Sequence, residues 1–420
     1  MSEVYIAPPP EGQPPPKEPG GWGLEWWYNA HFTYGAIQTV FIPILIPTYV
    51  KEMTGSATKV GIAMAIIGCG GLVAPVIGGV ADKLRAHRWA QLAGLIAYAA
   101  AAVVFAFSGE AFALHILGAA LFGVGSATLL MINPAFIVSG GFELEDEAKR
   151  LTRLNQTVFV GSLIAGLALG ELTSLGLSFQ VRFLIAAGIA VASAFLTGVT
   201  NGAAAKRIKV DVPASDSSDE PKPGIGALLF SNFGLLLLAV FLVTTGHGVI
   251  TTQYPNYMKE VFAVSEGSAS MGLSVAAIVT LLVLGPIGTW MGRSGPSPVW
   301  LSAVGLKFAM MVLLTVLAIA GERVEFIPLA CYVVFLQGVA MVDMVQPALA
   351  ARASSAGAGL TQGMLMFAIA TAYAVGSVAA GAAADSALGY PSLAWIVTGV
   401  CVLAGLVGWL AFRSNTEASK

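Results

Sequence analysis

Charged residues are scarce in this chain: Asp, Glu, Lys and Arg make up 10% of its 420 residues, where soluble domains carry about a quarter. That scarcity excludes an ordinary soluble enzyme. Cysteine is nearly absent as well. Cys69, Cys331 and Cys401 lie far apart inside apolar runs with no CxxC spacing, so they read as small packing residues and not as a disulfide framework or a metal site. The net charge of −2 leaves no basic surface for nucleic acid and no cationic arm for anionic lipid. No nucleophile and base pair, metal-ligand cluster or phosphate-binding glycine loop stands out, so ATP hydrolysis, a bound metal and a cofactor are not expected. The polar, Pro-rich start up to Gly21 lacks the basic, apolar and small-residue regions of a signal peptide, and membrane insertion is expected to use the first apolar run.

What the chain does have is apolar length, with 56% hydrophobic residues and a mean hydropathy of +0.80. Stretches such as Ala99 to Phe107 and Leu235 to Val243 are continuously apolar, which excludes the alternating strands of a membrane barrel. A hydrocarbon core of about 30 Å needs roughly 20 apolar residues per helical span. Six such runs fall near 30–50, 60–81, 89–108, 112–139, 154–175 and 181–200, and six more near 228–253, 267–291, 299–320, 326–350, 358–384 and 390–412. Asn201 to Gly226, polar and carrying three prolines, is too hydrophilic for lipid and too short to fold alone. The expected plan is an all-α membrane protein of 12 transmembrane helices in two six-helix bundles. Its parts are a disordered N-terminus (1–21), a first bundle (22–200), a cytoplasmic linker (201–226), a second bundle (227–413) and a short tail (414–420).

Basic residues are retained on the cytoplasmic side of a membrane. With both termini inside, only Lys51, Lys59, Arg182, Lys259 and Arg323 of the 21 Lys and Arg fall outside, and Lys307 alone lies within a span. Trp22, Trp26, Trp27 and Tyr28 form an aromatic anchor before the first span. A cell (inner) membrane location with cytoplasmic termini follows as an expectation.

A repeat at half the chain length supports the two-bundle plan. Pro47-Thr48-Tyr49-Val50-Lys51-Glu52 recurs as Pro255-Asn256-Tyr257-Met258-Lys259-Glu260, an offset of 208. Gly78 and Lys83 recur as Gly288 and Arg293, Met131 to Ala135 as Met344 to Ala348, and Val160-Gly161-Ser162 as Val375-Gly376-Ser377, at offsets of 210, 213 and 215. Four matches in one order at nearly one offset point to two parallel halves related by an axis along the membrane normal.

Between spans 2 and 3 stands Gly78-Gly79-Val80-Ala81-Asp82-Lys83-Leu84-Arg85-Ala86-His87-Arg88. This resembles the G-x-x-x-D-R/K-x-x-x-R/K loop of the major facilitator superfamily, except that Arg85-Ala86 stands where that family usually has Gly-Arg. With the 6 + 6 plan, the resemblance covers residues 22–413. It implies a secondary transporter whose two bundles rock around a midplane site, with spans 1, 4, 7 and 10 lining the cavity and spans 3, 6, 9 and 12 peripheral. Asp82, with Lys83, Arg85 and Arg88, is then the expected gate: at a helix end its carboxylate can accept from an exposed helix N-terminus or pair with Arg85 or Arg88. Span 4 lacks the intramembrane Arg of proton-coupled exporters in that family. Span 5 carries Gly161, Gly166 and Gly170 without the antiporter Gly-Pro, so its glycines read as helix packing.

Polar side chains at lipid depth face a cavity or a partner. His31, Tyr34 and Gln38 share one helical face in span 1, and Thr244, His247, Thr251 and Tyr254 repeat that spacing in span 7. Asn133 and Gln346 are repeat equivalents, each before a proline. They are expected either to face each other across the axis as substrate contacts or to satisfy the carbonyl their own proline frees. Asp343 is the only acid well inside a span and is the candidate proton carrier; His31 and His247 are further titratable groups. Lys307 is expected to snorkel from a peripheral span. The mixed charges Glu143, Glu145, Asp146, Glu147, Lys149, Arg150 and Arg153 read as a solvated loop.

The expected function is a monomeric secondary carrier of a small organic solute, neutral, zwitterionic or amphipathic, coupled to protons and favouring efflux. The alternatives are a proton-coupled uptake symporter and a non-transporting assembly or sensor protein on the same scaffold.

Overall fold

A computed structural model describes residues 24–208, 225–321, 324–356 and 358–418; the Pro-rich start and most of the polar linker lie outside them. Twelve helices are long and apolar enough to cross a membrane. Spans 1 to 6 are Trp26–Thr54, Ala57–Leu84, His87–Phe107, Phe112–Val138, Lys149–Ser174 and Phe179–Thr200. Spans 7 to 12 are Asn232–Thr251, Glu266–Ser294, Pro296–Ala320, Phe326–Ala353, Leu360–Asp385 and Ser392–Arg413. No strand occurs among the described residues.

Three spans are irregular, and each irregularity has a local cause. Span 1 contains a π turn at Ile37–Phe41, where the Thr39 hydroxyl donates back to the Gly35 carbonyl at 2.5 Å. Span 2 tightens into a 3₁₀ turn at Gly70–Val73, before Pro75 restarts the helix at its first turn. Span 7 stops at Thr251, and a short helix, Tyr254–Phe262, follows with Pro255 in its first turn, a position where proline's missing N–H costs nothing.

The repeat is visible in the packing. A Cβ on Gly161 would collide with the Phe32 carbonyl oxygen of span 1, and one on Gly376 with the Thr245 carbonyl oxygen of span 7. The reciprocal contacts are Gly35 on Val158 and Gly248 on Tyr373. Span 5 thus lies on span 1 as span 11 lies on span 7, with backbones touching where only glycine fits.

Hydrogen bonds between the halves gather at the end opposite the linker. Asp385, the last residue of span 11, accepts from the Ser56 hydroxyl at 2.7 Å and from the Ala57 and Thr58 amides at 2.8 and 2.7 Å. Lys51 stands 3.5 Å from the same carboxylate. One residue of the second half therefore caps span 2 of the first, using amides that a helix start leaves unpaired. Arg182 pairs with Glu266 at 2.5 Å, Gln253 donates to the Ala57 carbonyl and Asn256 to the Pro47 carbonyl, each at 3.0 Å. At the linker end no hydrogen bond joins the halves among the described residues. There Ala81 is the only buried residue from 71 to 85, and none is buried from 281 to 294. The bundle is closed at one end and parted at the other.

Three local expectations are corrected. The mixed charges before span 5 are not a free loop: a helix begins at Leu144, and Arg150 is 3% exposed. Its guanidinium pairs with Asp146 at 2.8 Å and Glu25 at 2.9 Å and stacks 4.1 Å from the Phe142 ring centroid. Glu25 also pairs with Arg207 at 2.5 Å, so the first linker residues, a short helix at Gly202–Arg207, belong to the first half. The last helix also runs on to Ala418.

Asp385→Asn keeps the size of the side chain but removes the charge and half the acceptors at the closed end. Reaction of a cysteine placed at His247 with an impermeant maleimide, applied from the end opposite the linker, should quicken by roughly three- to tenfold, the loss of about 1 kcal/mol of closure. An unchanged labelling rate would show that the cap does not hold the halves together.

Candidate functional site

The second half contributes a recess of about 110 Å³ lined by Val243, Thr244, His247, Lys307, Val339, Val342, Asp343, Ile369 and Tyr373. Asp343 is exposed although it lies in the middle of span 10. No protein hydrogen bond reaches its carboxylate among the described residues. Its electrostatic partners are Lys307 on its own side and Tyr34 across the gap.

Lys307 does not snorkel. It is 1% exposed, its Nζ donates to the Val243 carbonyl at 3.1 Å, and it lies 5.3 Å from the centroid of the Phe335 ring. Gly338 makes the room: a Cβ there would stand 2.7 Å from Lys307 Cγ. The side of span 9 that carries Lys307 turns toward spans 7 and 10, so the ammonium is buried in the wall of the recess while the carboxylate is exposed. No direct ion pair links them among the described residues.

His247 is half-buried, its ring 5.8 Å from that of Tyr373. Tyr373 also meets the other half: a Cβ on Gly68 would lie 2.6 Å from its Cδ1. The ring thus fills the place where spans 2 and 11 touch beside the recess. Thr251 is set against Tyr332. Tyr254 belongs to the core, stacked on Tyr332 at 3.9 Å and donating to the Ala269 carbonyl at 2.9 Å.

The first half presents Tyr34 and Gln38. Tyr34 is half-buried and stacks on His31 at 5.5 Å. Gln38 sits in the π turn, a distortion that recurs at functional positions. Its Oε1 accepts from the Ser126 hydroxyl and, at 3.5 Å, from Tyr98. Its Nε2 has no protein partner among the described residues.

His31 and Asn133 turn the other way. Asn133 is fully buried; its Nδ2 donates to His31 Nδ1 at 3.0 Å, and its Oδ1 accepts from Gln91 at 2.7 Å. Gln91 in turn accepts from Asn201 at 3.0 Å, and Asn155 also bonds His31. This chain of amides lies wholly within the first half. Gln346 is 1% exposed, and its Nε2 has no partner among the described residues. The twins therefore neither face each other nor satisfy the carbonyls their prolines free. The second half has Val304 where Gln91 would be repeated, so Gln346 has nothing equivalent to bond.

The loop after span 2 also differs from expectation. Asp82 bonds His87 Nε2 at 2.8 Å, not Arg85 or Arg88. Arg88 donates to the Gly198 carbonyl at 2.6 Å, and Lys83 is exposed. Arg85 caps the helix with φ of 50°, left-handed backbone that favours glycine, which accounts for the glycine that the resembled motif usually has there.

Sequence reasoning missed His87, Gln91, Asn155 and Tyr373 as partners or lining groups. Tyr373 carried a signal: a hydroxylated aromatic inside a helix of small residues, two positions before the repeated Gly376-bearing triplet.

A family model described as Major Facilitator Superfamily matches residues 28–356 and 236–420. The chain belongs to the Major Facilitator Superfamily. It is a multi-pass membrane protein of a transporter family, not of an enzyme family. Among solved structures, the nucleoside transporter NupG is 13% identical with a TM-score of 0.69, covering 92% of this chain and 98% of its own. A POT family transporter in complex with 5-aminolevulinic acid is 11% identical with a TM-score of 0.77, covering 96% and 99%. These likenesses show the superfamily fold. No curated protein matches this chain.

The two amides of the repeat should respond oppositely to removal. Asn133→Ala takes one buried hydrogen-bond partner from each of His31 and Gln91 and should cost about 2–4 kcal/mol, read as a lower melting temperature of the purified protein. Gln346→Met removes an amide whose N–H₂ is unsatisfied and should leave the melting temperature level or raise it. Equal losses in the two variants would show that Gln346 has a partner in the folded protein.

Proposed function

We propose that this protein is a secondary active transporter that moves a small polar organic solute across the cell (inner) membrane by alternating access, with both termini cytoplasmic. It works as a monomer, and protons drive it in the export direction. The observation that carries this reading is Asp343: an acid at mid-span that faces the gap between the halves, with a buried cation behind it and no hydrogen bond consuming it. A carboxylate so placed can take a proton or a solute group when the gap opens to either side. The fold is shared with transporters of nucleosides and peptides and with a carrier holding 5-aminolevulinic acid, in keeping with a small polar cargo. Tyr34, Gln38, His247 and Tyr373 are the further contacts, and no metal or cofactor takes part. With the linker end cytoplasmic, the parted end is the inward one.

Asp82 is the gate of the opposite state. Spans 2 and 11 run antiparallel against each other, and Asp385 at the end of span 11 caps the start of span 2. Asp82, near the end of span 2, is placed to do the same for the start of span 11 when the linker end closes. In the present state it is 60% exposed and holds only His87, a partner from its own half.

Reconstituted into liposomes with an imposed pH gradient, the protein should drive solute flux. Asp343→Asn should lower gradient-driven flux at least about tenfold while downhill exchange survives. Absence of flux for every solute under any gradient would favour the assembly or sensor alternative. Asp82→Asn should abolish net transport with normal insertion and yield, because the closed-inward state loses its cap; wild-type flux in this variant would remove Asp82 from the gate.

A further inference from the structure

We infer that the recess takes a solute bearing a protonated amine at one end and a carbonyl or carboxylate oxygen at the other. The inference deepens the carrier reading and rests on it only for the solute's passage; recognition itself is argued from the two walls.

The second wall holds one charge of each sign, yet they are not equally available. Lys307 is covered: it is 1% exposed, donates to the Val243 carbonyl and lies against the Phe335 ring. Asp343 is exposed and free of protein hydrogen bonds. A solute in the recess therefore meets an acceptor carrying negative charge, and the group that suits it at lipid depth is a cationic N–H donor. Lys307, held by the Val243 carbonyl and against the Phe335 ring, makes no ion pair with the carboxylate among the described residues and leaves its open side to the solute.

The first wall offers the opposite polarity. The Ser126 and Tyr98 hydroxyls hold Gln38 Oε1, which fixes the flip of the amide and leaves Nε2 as the unspent group. Tyr34, within electrostatic range of Asp343, adds a hydroxyl. Neutral N–H and O–H donors recognise an oxygen acceptor. A molecule bridging the walls then places its ammonium on Asp343 and its carbonyl or carboxylate oxygen on Gln38 and Tyr34.

This arrangement also bears on coupling. Asp343 cannot hold a proton and pair with an ammonium at once, so proton uptake by the carboxylate releases the solute. The groups facing Asp343 across the recess are Lys307, His247, Tyr34 and Tyr373.

The test is direct binding to the purified full-length protein, by calorimetry and by thermal shift, independent of transport. The probes are amino-acid amides with side chains from methyl to benzyl, their N-acetylated forms, which lose the cation, and the matching amines without the carbonyl. The amides should bind, and each truncated form should bind about tenfold more weakly or worse. Asp343→Asn should erase the preference for the cation, and Asp343→Glu should restore it in part. Gln38→Glu keeps the acceptor that Ser126 and Tyr98 need but replaces Nε2 with an oxygen, so it should erase the preference for the carbonyl alone. Tighter binding of the N-acetylated forms, or no binding by any amine of the series to the wild type, overturns the inference. Flux of an anionic solute in liposomes with no amine binding would sink this inference and leave the carrier reading standing. Amine binding dependent on Asp343 without flux would do the reverse.

Discussion

A polar side chain at lipid depth has to meet a partner or open onto water, because hydrocarbon offers it neither. That constraint sorts the inner polar groups of this protein into two kinds. His31, Asn133, Gln91 and Asn201 bond one another inside the first half and make a scaffold. Asp343 and His247 line the recess, and Tyr34 and Gln38, partly exposed on one face of span 1, are proposed to complete the site. Residue type alone does not distinguish them, since a histidine and an amide occur in both sets.

Symmetry and its failure divide the labour in the same way. The glycine contacts that seat span 5 on span 1 and span 11 on span 7 are repeated, because a rocking mechanism needs two stiff bodies of similar shape. The chemistry is not repeated. At the offset of 213 that relates Met131–Ala135 to Met344–Ala348, Lys307 corresponds to Gly94 and Asp343 to Leu130, so the charged pair belongs to one half only. The first half answers with the hydroxyls and amide around its π turn.

Much of this was legible in the sequence. Twelve apolar runs, a half-length repeat and the Asp82 loop lead to the superfamily fold, because span length and backbone satisfaction leave lipid-embedded chains few options. Helical spacing and depth point to His247 and Asp343, and both line the recess. The failures share one cause, which is that a one-dimensional pattern does not say toward which neighbour a face turns. Lys307 looked peripheral because its span does, yet Gly338 on span 10 opens a channel for its side chain. Asn133 and Gln346 looked equivalent because both precede proline, but only Asn133 has Gln91 within reach. Arg150 looked solvated until Glu25, 125 residues away, came beside it.

The closed end explains how such a machine avoids being trapped. A seal worth much more than the gain on rebinding solute would leave one state populated and the carrier idle, since a ligand shifts an equilibrium only by its differential affinity. The Asp385 cap has three hydrogen bonds, each contributing about 0.5–1.5 kcal/mol net, and its carboxylate side chain is 28% exposed, which lowers their worth through water and salt. The result is a few kcal/mol at most, small enough to break and re-form in each cycle. Under the proposed gate, Asp82 caps the start of span 11 when the linker end closes, which offsets the cost of uncapping the start of span 2 at the other end. On that reading the two caps exclude each other, and occupancy of the site between them decides which prevails.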